Sequence, residues 1–258
     1  MTVSDRMDQP ELTARQFGAT AAKYLTSTVH ASGADIERLA EICARSRPAR
    51  TLDLGSGAGH ASFALARGGA QSVVAYDLAT PMLAVVAAEA AARGHEQIRT
   101  VRGSADRLPF ADASFDLIVS RYSAHHWLDV PRALSEMRRA LAPGGTLIVI
   151  DVLAPEAALM DTALQTLELL RDASHVRNYR ASEWRAMFEA ANLSRPTLDC
   201  WKLKLEFQSW IARIATPPAR VDALKVVFGA LPAEVREYFA VAPDHSFTLD
   251  SGWLEVRA

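Results

Sequence analysis

Three glycines at alternating positions form the segment of this sequence with the clearest chemical meaning. Gly55, Gly57 and Gly59 follow an apolar run that ends at Leu54, and His60 comes directly after them. Glycine lets the backbone turn tightly and approach a ligand closely, so such a loop is typical of nucleotide sites. The Lys-Ser/Thr pair of a triphosphate loop is missing, and His60 replaces the third glycine of a G-x-G-x-x-G dinucleotide loop. The loop therefore favours a nucleoside ligand of another kind, with NAD as the weaker alternative.

Acidic side chains follow the next two apolar runs. Asp77 ends the first of them, 22 residues beyond Gly55, where a carboxylate can accept hydrogen bonds from both hydroxyls of a ribose. The alternative for Asp77 is a plain turn residue. Asp106 follows the next run, at the end of the segment GSAD that begins at Gly103. Together with the glycine loop, these acids predict a site for a nucleoside.

Two adjacent histidines follow the fourth apolar run. His125 and His126 are the best general-base candidates in the chain. Imidazole is the side chain that most often takes up a proton near neutral pH, which makes these residues suited to deprotonating a substrate. The alternative is a packing or shielding role beside Trp127. The sequence therefore offers a base without showing that the reaction needs one.

Buried strands and helices must alternate along the chain to position these residues. The apolar runs lack polar alternation and are separated by helical segments, which is typical of a parallel sheet buried on both faces. Thr80 is expected to cap a helix that has Pro81 at its first position. The core is thus predicted to be a doubly wound α/β sheet, in which ligands bind at the carboxyl ends of the strands. The predicted strands span 50–54, 72–77, 98–103, 115–122 and 146–153, and the predicted helices span 60–69, 81–94 and 130–141.

Five motifs occur in one order along residues 51–150: LDLGSGAGH, VVAYD, GSADRLPF, FDLIVSRYSAHHW and LAPGG. In this order they resemble the class I S-adenosylmethionine-dependent methyltransferases, most closely the small-molecule branch that includes the ubiquinone- and menaquinone-biosynthesis enzymes. The resemblance implies a Rossmann-like, mostly parallel seven-stranded sheet with an N-terminal helical lid and helical cap insertions. It also implies methyl transfer from S-adenosylmethionine to a small, partly apolar acceptor, with S-adenosylhomocysteine as product. C- and O-methylation both stay open.

The resemblance also implies roles for individual residues on the cofactor side. Asp53 would order the loop and face the amino end of the cofactor, or it is a capping acid. Leu78 and Met82 would flank the adenine, or they belong only to the core. Asp106 would accept from the adenine amino group, or it is an exposed loop acid. Arg121 would approach the methionine moiety or the substrate, or it is a structural ion-pair partner. The implied cofactor-binding set is Asp53, Gly55, Ser56, Gly57, Gly59, His60, Asp77, Leu78, Met82, Ser104, Ala105, Asp106 and Arg121.

On the acceptor side, the resemblance points to the N-terminal helices and to the segment after the fourth strand. Phe17, Tyr24 and His30 would close over cofactor or substrate, with simple helix packing as the alternative. Tyr122 is a further candidate beside the two histidines. Arg180, in the segment HVRNYR with Arg177 and Tyr179, could bind an anionic acceptor or belong to a solvated charged segment.

The segments outside the core are predicted to form a lid and a cap. Residues 11–45 show two helices with a break near Ser32, and helical segments are expected at 156–176, 181–193 and 208–239, the last interrupted at Pro217. A strand is expected at 198–207 and hairpin-like alternation at 246–258. We predict one methyltransferase domain over 1–258, with a lid at 1–46, a cofactor-binding core at 47–155 and cap insertions at 156–180 and 208–243. Eight apolar cap residues would wall an acceptor pocket or form the cap's own core: Trp184, Phe188, Trp210, Ile211, Ile214, Val226, Val227 and Phe228.

Composition limits the other function classes. Half of the 258 residues are apolar, and 28 basic residues nearly balance 30 acidic ones, so we expect no strong attraction to nucleic acid or anionic lipid. The SRYSA segment after the fourth strand also differs from the N/D-P-P-aromatic tetrad of enzymes that methylate amino groups of nucleic-acid bases. No apolar run approaches the ~20 residues that cross a bilayer, and the N-terminus lacks a secretory apolar region. We therefore expect a cytoplasmic protein without membrane insertion or nucleic-acid partners.

Two further expectations concern metals and thiols. No His, Cys or acid pairs occur at metal-ligand spacing, so no metal site is predicted. Cys43 and Cys200 are expected to be buried thiols in a reducing compartment. The sequence does not predict the oligomeric state. The rival to an enzyme is a non-catalytic protein that binds S-adenosylmethionine or S-adenosylhomocysteine, and an NAD-dependent oxidoreductase is a weaker rival.

Overall fold

One twisted sheet organises the chain in the computed structural model, which describes residues 7–18 and 33–258. The first five strands along the chain are parallel to one another, and the last two pair antiparallel beside them. The order across the sheet is β3-β2-β1-β4-β5-β8-β7, and the two-residue β6 pairs with β5. The strands are β1 (Thr51–Leu54), β2 (Val73–Asp77), β3 (Ile98–Arg102), β4 (Phe115–Arg121), β5 (Leu141–Ala154), β6 (Tyr179–Arg180), β7 (Thr197–Leu205) and β8 (Phe247–Arg257). The prediction of a mostly parallel, doubly wound sheet is confirmed, with β6 added to the seven strands expected.

Helices cover both faces of the sheet. They are α1 (Gln9–Gly18), α2 (Ala34–Ser46), α3 (His60–Arg67), α4 (Thr80–Ala92), α5 (Val130–Ala140), α6 (Ala158–Arg171), α7 (Ala181–Ala190), α8 (Phe207–Arg213), α9 (Pro218–Ala230) and α10 (Ala233–Tyr238), with a short 3₁₀ helix at Ala124–His126. On one face, α2 and α3 pack against strand residues such as Val119. On the other face, α5 and α7 pack against residues such as Ile118. Because neighbouring residues of β4 serve opposite faces, the strands must be apolar throughout, which is the pattern found in the sequence.

Two local predictions are wrong. Helix α4 has Ala79 at its N-cap and Thr80 inside the helix, and no side chain caps it. The Asp77 carboxylate accepts the Ala79 backbone N–H in the tight turn before the helix, so the helix begins one residue early. The C-terminal alternation belongs to one long strand, β8, which lies antiparallel between β5 and β7 and contains no hairpin turn of its own.

The apolar residues of the predicted cap divide between two cores. Trp184 and Phe188 of α7 are fully buried against the main sheet, in the cluster that also contains Met137 of α5. Trp210 and Phe228 belong to a separate cluster formed by α6, α8, α9 and α10 with the edges of β5 and β8. Ile211 and Val227 pack against that second cluster, Ile214 is buried, and Val226 is exposed. The cap therefore has its own core, and the domain boundaries stay a prediction.

The two cysteines differ in their environments. Cys43 of α2 is buried as predicted, and burial raises its pKa to about 12. Cys200 is exposed, so its predicted burial is wrong. It lies on β7, which forms the edge of the sheet and has exposed residues along most of its length. In residues 7–18 and 33–258, no helix is long and apolar enough to cross a membrane, and no cluster of His, Cys, Asp or Glu is arranged to hold a metal ion.

Candidate active site

A cavity of about 180 Å³ opens where the carboxyl ends of β1, β2 and β4 meet the segment after β3. Helix α1 crosses it and contributes Gln9, Pro10, Thr13 and Phe17 to its lining. The Gln9 side-chain amide donates to the backbone oxygens of His126 and Ser174, at 3.0 and 2.8 Å. These hydrogen bonds hold α1 over the cavity, and a lid role for the N-terminal segment stays a prediction.

The glycine loop has the backbone geometry that its sequence predicts. Gly55, Gly57 and Gly59 have φ angles of 73°, 51° and 87°, in the left-handed region that favours glycine. A Cβ atom on Gly55 would lie 1.9 Å from Oγ of Ser123, whereas a Cβ on Gly57 would enter open space. Gly59 caps α3, whose first residue, His60, also lines the cavity. Gly55 is thus required by packing, and Gly57 leaves the main chain open toward a ligand.

Asp77 stabilises this loop through its carboxylate. Its Oδ2 accepts the Gly57 backbone N–H and its Oδ1 accepts the Ala79 backbone N–H, both at 2.8 Å. Burial raises the pKa of Asp77, while these backbone hydrogen bonds act in the opposite direction. The residue lines the cavity, so its remaining acceptor positions are available to a ligand.

Asp53 and Ser56 provide polar atoms without partners. Asp53 is fully buried at the end of β1, and its Oδ2 accepts from Oγ of Ser62 at 2.5 Å. Burial raises the pKa of Asp53 to about 6, and the hydrogen bonds from Ser62 oppose that shift. Oδ1 of Asp53 and Oγ of Ser56 form no hydrogen bond within the described part of the chain. Because buried polar atoms are normally hydrogen-bonded, two such atoms in residues that line one cavity indicate a polar ligand.

The other predicted cofactor residues lie around the same cavity. Leu78, Met82, Ser104, Ala105 and Asp106 all contribute to its lining. Met82 is almost fully buried and packs in a small cluster that Phe17 joins, so it is both a core residue and a wall.

Arg121 combines the two roles that the sequence left open. Its Nε lies 2.6 Å from Oδ2 of Asp35, and both side chains are less than a tenth exposed. The guanidinium also lies over the Tyr122 ring, 4.8 Å from its centroid, and the residue lines the cavity. The structure therefore shows the ion pair, at a position beside the site.

A second, smaller cavity of about 80 Å³ adjoins the first. The two share Phe17, Tyr122 and His126 in their linings. The apolar wall of the second cavity consists of Val152, Leu203, Leu205, Trp210 and Leu249. Its polar side is formed by His125, Glu168, Arg171, Asp172, Asn178 and Arg213. A ligand in this cavity would thus meet both apolar side chains and charged ones.

His125 is held by a buried acid in this second cavity. Its Nδ1 lies 2.6 Å from Oδ1 of Asp151, whose side chain is only 2% exposed. Burial lowers the pKa of His125, but the charge and hydrogen bond of Asp151 outweigh burial, with smaller contributions from Glu168 and Asp172, so the pKa is raised. Asp151 therefore fixes the ring and favours its protonated form.

His126 lies at the junction of the two cavities and has a different environment. Its Nδ1 is 3.1 Å from the backbone oxygen of Ser174, and its ring makes an edge contact with Phe17 at 4.8 Å between centroids. Burial, and then the neighbouring His125, lower the pKa of His126 to about 4. His126 is therefore a neutral ring near neutral pH, and it packs against Phe17.

The remaining candidates are Arg180, Tyr24 and His30. Arg180 lines neither cavity; its Nη2 pairs with Oδ2 of Asp161 at 2.6 Å, and Arg177 pairs with the same carboxylate. These two arginines and Asp161 form an ion-pair network between α6 and the start of α7, so the structure does not bring Arg180 to the site. Tyr24 and His30 lie outside the described residues.

Sequence reasoning missed several residues at the two cavities. Asp151, Glu168 and Asp172 surround the histidines, and Gln9 holds α1 in place. Asp151 gave one signal, since it is an acid within the otherwise apolar run TLIVIDVL. Glu168 and Asp172 gave none, because they lie at ordinary positions at the end of a helix and just after it.

Comparison with known proteins agrees with this geometry. Residues 52–149 match the family described as "Methyltransferase domain". The chain is 52% identical over 179 residues to the uncharacterized protein YafE of Escherichia coli, covering 69% of this chain and 86% of YafE. It is 35% identical to the uncharacterized methyltransferase YcgJ of Bacillus subtilis, covering 87% of this chain and 88% of YcgJ. The crystal structure of YcgJ superposes with a TM-score of 0.79 at 33% identity, over 85% of this chain and 97% of that one.

A more distant relative has a named reaction. The chain is 35% identical over 144 residues to the demethylmenaquinone methyltransferase of Thermus thermophilus, covering 54% of this chain and 65% of that enzyme. The fold, the glycine loop with its following acid, the family match and these relatives lead to one assignment. The chain belongs to the class I S-adenosylmethionine-dependent methyltransferases.

Proposed function

We propose that this protein transfers a methyl group from S-adenosylmethionine to a small molecule with an apolar body. The observation that carries the proposal is the pair of adjoining cavities that share Phe17, Tyr122 and His126. One is built from a glycine loop and acids, and the other has an apolar wall and buried histidines. Two substrates bound in them would meet at the shared residues.

The residues of the first cavity fit the methyl donor. Asp77 suits ribose hydroxyls, the unpartnered atoms of Asp53 and Ser56 suit the polar methionine end, and the N-terminus of α3 suits a carboxylate. When bound, S-adenosylmethionine supplies a methyl group on a positively charged sulfur. The chain contributes alignment and the exclusion of water, through the loop below and α1 above. The demethylmenaquinone methyltransferase relative supports a partly apolar acceptor, and both C- and O-methylation are compatible with it.

Calorimetric titration with S-adenosylhomocysteine tests the cofactor half of the proposal. Asp77→Ala should weaken binding about tenfold or more, since hydrogen bonds to a charged group contribute roughly 1.5–3 kcal/mol. Asp77→Asn keeps the shape and one acceptor oxygen, and should lose less affinity if Asp77→Ala also disturbs the loop. Asp222→Ala, an exposed acid on α9, is the matched control and should bind normally. Wild-type affinity in both Asp77 variants would contradict the assignment.

Turnover separates an enzyme from a non-catalytic binding protein. We expect S-adenosylhomocysteine to form when the protein, S-adenosylmethionine and quinone-like or phenolic compounds are mixed, as measured by mass spectrometry of both products. Binding of S-adenosylhomocysteine without turnover of any compound would support the non-catalytic alternative. Membership of the methyltransferases leaves the NAD-dependent oxidoreductase without support.

A further inference from the structure

The second cavity contains one histidine arranged to accept a proton. Nδ1 of His125 is 2.6 Å from Oδ1 of Asp151, and because a carboxylate accepts, that nitrogen carries the hydrogen. The neutral ring then holds its lone pair on Nε2. Nε2 forms no hydrogen bond with any residue that the structure describes, and the ring lines the cavity. His125 therefore offers an acceptor atom to whatever occupies this space.

Asp151 is held near the carboxyl end of β5 and cannot follow the His125 ring if that ring moves. Its Oδ1 also accepts the Val152 backbone N–H at 2.8 Å, and the residue is almost completely buried. The 3₁₀ helix that contains His125 is fixed in turn, because the His125 backbone oxygen accepts the N–H of Val176 at 2.8 Å. This arrangement sets one tautomer and stabilises the imidazolium that forms when the proton arrives.

The neighbouring histidines do not compete for that proton. Nδ1 of His126 donates to the Ser174 backbone oxygen, and Nε2 of His175 is 3.0 Å from Oε1 of Gln165. Burial and the charge of His125 lower the pKa values of both rings. The titratable and charged groups that surround His125 are Asp151 on β5, Tyr122 after β4, His126 beside it, Glu168 and Arg171 on α6, and Asp172 and His175 after α6.

A base is useful for only some methyl acceptors. A neutral amine attacks with its own lone pair, and a carboxylic acid is already ionised near neutral pH. A phenolic or enolic hydroxyl is a weak nucleophile until its proton leaves. The apolar wall formed by residues such as Leu203, Trp210 and Leu249 suits the ring that bears such a hydroxyl.

We propose that the acceptor is a phenolic or enolic hydroxyl compound, and that Nε2 of His125, oriented by Asp151, removes the hydroxyl proton as the oxygen is methylated. The O–H bond breaks and its proton goes to Nε2. The oxygen electron pair forms the bond to the methyl carbon, and the bond between that carbon and the sulfonium breaks with its electrons staying on sulfur. This inference rests on the proposed function. His125 is a catalytic residue in it, and Asp151 is a positioning residue.

A spectroscopic experiment tests the proton transfer without turnover. 4-Nitrophenol is titrated into the protein saturated with S-adenosylhomocysteine, at a pH below that at which free nitrophenol ionises. We expect bound nitrophenol to show the nitrophenolate absorption, because the protonated His125 ring forms an ion pair with the phenolate oxygen and so favours loss of the hydroxyl proton, and we expect His125→Gln to abolish that signal. Bound nitrophenol that stays protonated, the same spectrum in His125→Gln, or no binding at all would overturn the inference.

An activity experiment uses two acceptors that share one ring system. We expect methylation of 1-naphthol and not of 1-naphthylamine. His125→Gln should lower kcat for 1-naphthol at least a hundredfold, within the range of roughly 10²–10⁴ for general-base catalysis, while the affinity for S-adenosylhomocysteine stays unchanged. The rate of the His125→Gln variant should rise with pH, because the naphthol hydroxyl ionises without a base at higher pH.

Asp151→Asn should lower kcat by a smaller factor, and its rate should rise with pH in the same way. A variant that affected only the structure would not show this rise. His95→Gln, at a histidine after α4 that lines neither cavity, is the matched control and should keep the wild-type rate at pH 7.5.

The outcomes separate this inference from the proposed function. Failure to bind S-adenosylhomocysteine would remove the proposed function and the inference with it. Normal cofactor binding with transfer to the amine, or with no transfer to the naphthol, would overturn the acceptor class alone. A wild-type rate in His125→Gln would overturn the role of the histidine.

Discussion

Alanine substitutions at Gly55 and Gly57 distinguish the contribution of these glycines to packing from their contribution to ligand binding. Both have positive φ, so alanine at either position costs roughly 1–2 kcal/mol of backbone strain. At Gly55 the new Cβ would also lie 1.9 Å from Oγ and 2.5 Å from Cβ of Ser123, so the 3₁₀ helix must shift. Overpacking of this kind adds about 1–3 kcal/mol. We therefore expect Gly55→Ala to lower the free energy of unfolding by about 2–5 kcal/mol and Gly57→Ala by about 1–2 kcal/mol.

Urea unfolding and calorimetry with S-adenosylhomocysteine measure the two effects. Gly57→Ala should weaken ligand binding about tenfold or more, because its Cβ enters the open space beside the loop, although the variant remains the more stable of the two. Ser123→Gly in the Gly55→Ala background should recover roughly 1–3 kcal/mol, since it removes both clashing atoms. Equal destabilisation by the two alanines, or no recovery by Ser123→Gly, would refute this reasoning.

Two further predictions concern buried charge. Asp35→Ala removes one buried partner of the Arg121 guanidinium, 2.6 Å away, and should cost roughly 1.5–3 kcal/mol in urea unfolding. Glu37→Ala on the same helix breaks an exposed pair with Arg67 and should cost less than ~1 kcal/mol. Similar losses in the two variants would contradict this contrast. Burial, and then the charges of His125 and His126, lower the pKa of His175 to about 2. Below pH ~6.5 the unfolded chain therefore binds a proton at His175 that the folded chain does not, and the free energy of unfolding falls as the pH decreases from there toward 2. His175→Gln should therefore reduce the stability difference between pH 7.5 and pH 4.5 by about 3 kcal/mol, and an unchanged difference would show that this ring does not carry the penalty.

The convergence of residues on the first cavity could be predicted because these residues lie at the ends of strands or directly after them. In a parallel sheet the carboxyl ends of neighbouring strands lie together, so Asp53, the glycine loop, Asp77 and Asp106 must converge once the strands are recognised. The left-handed φ angles of the loop follow from glycine itself. Here the spacing along the chain contains nearly all of the three-dimensional information.

The arrangement of the second cavity could not be predicted in the same way. His125 meets Asp151 only because the two lie at neighbouring strand ends, 26 positions apart, and Glu168 and Asp172 reach the histidines through the path of α6. Arg180 resembled an anion ligand by residue type, but its guanidinium pairs with Asp161, through Nη2 at 2.6 Å. Partners that are distant along the chain, and not residue types, decide which charged groups are available to a substrate.

The central claim is that the first cavity holds the nucleoside of a methyl donor. Its most direct test is calorimetric titration of the wild-type protein with S-adenosylhomocysteine, with NADH titrated in parallel under the same conditions. The account predicts saturable binding of S-adenosylhomocysteine at one site per chain and no heat of binding from NADH. Binding of NADH alone, or of neither compound, would contradict it.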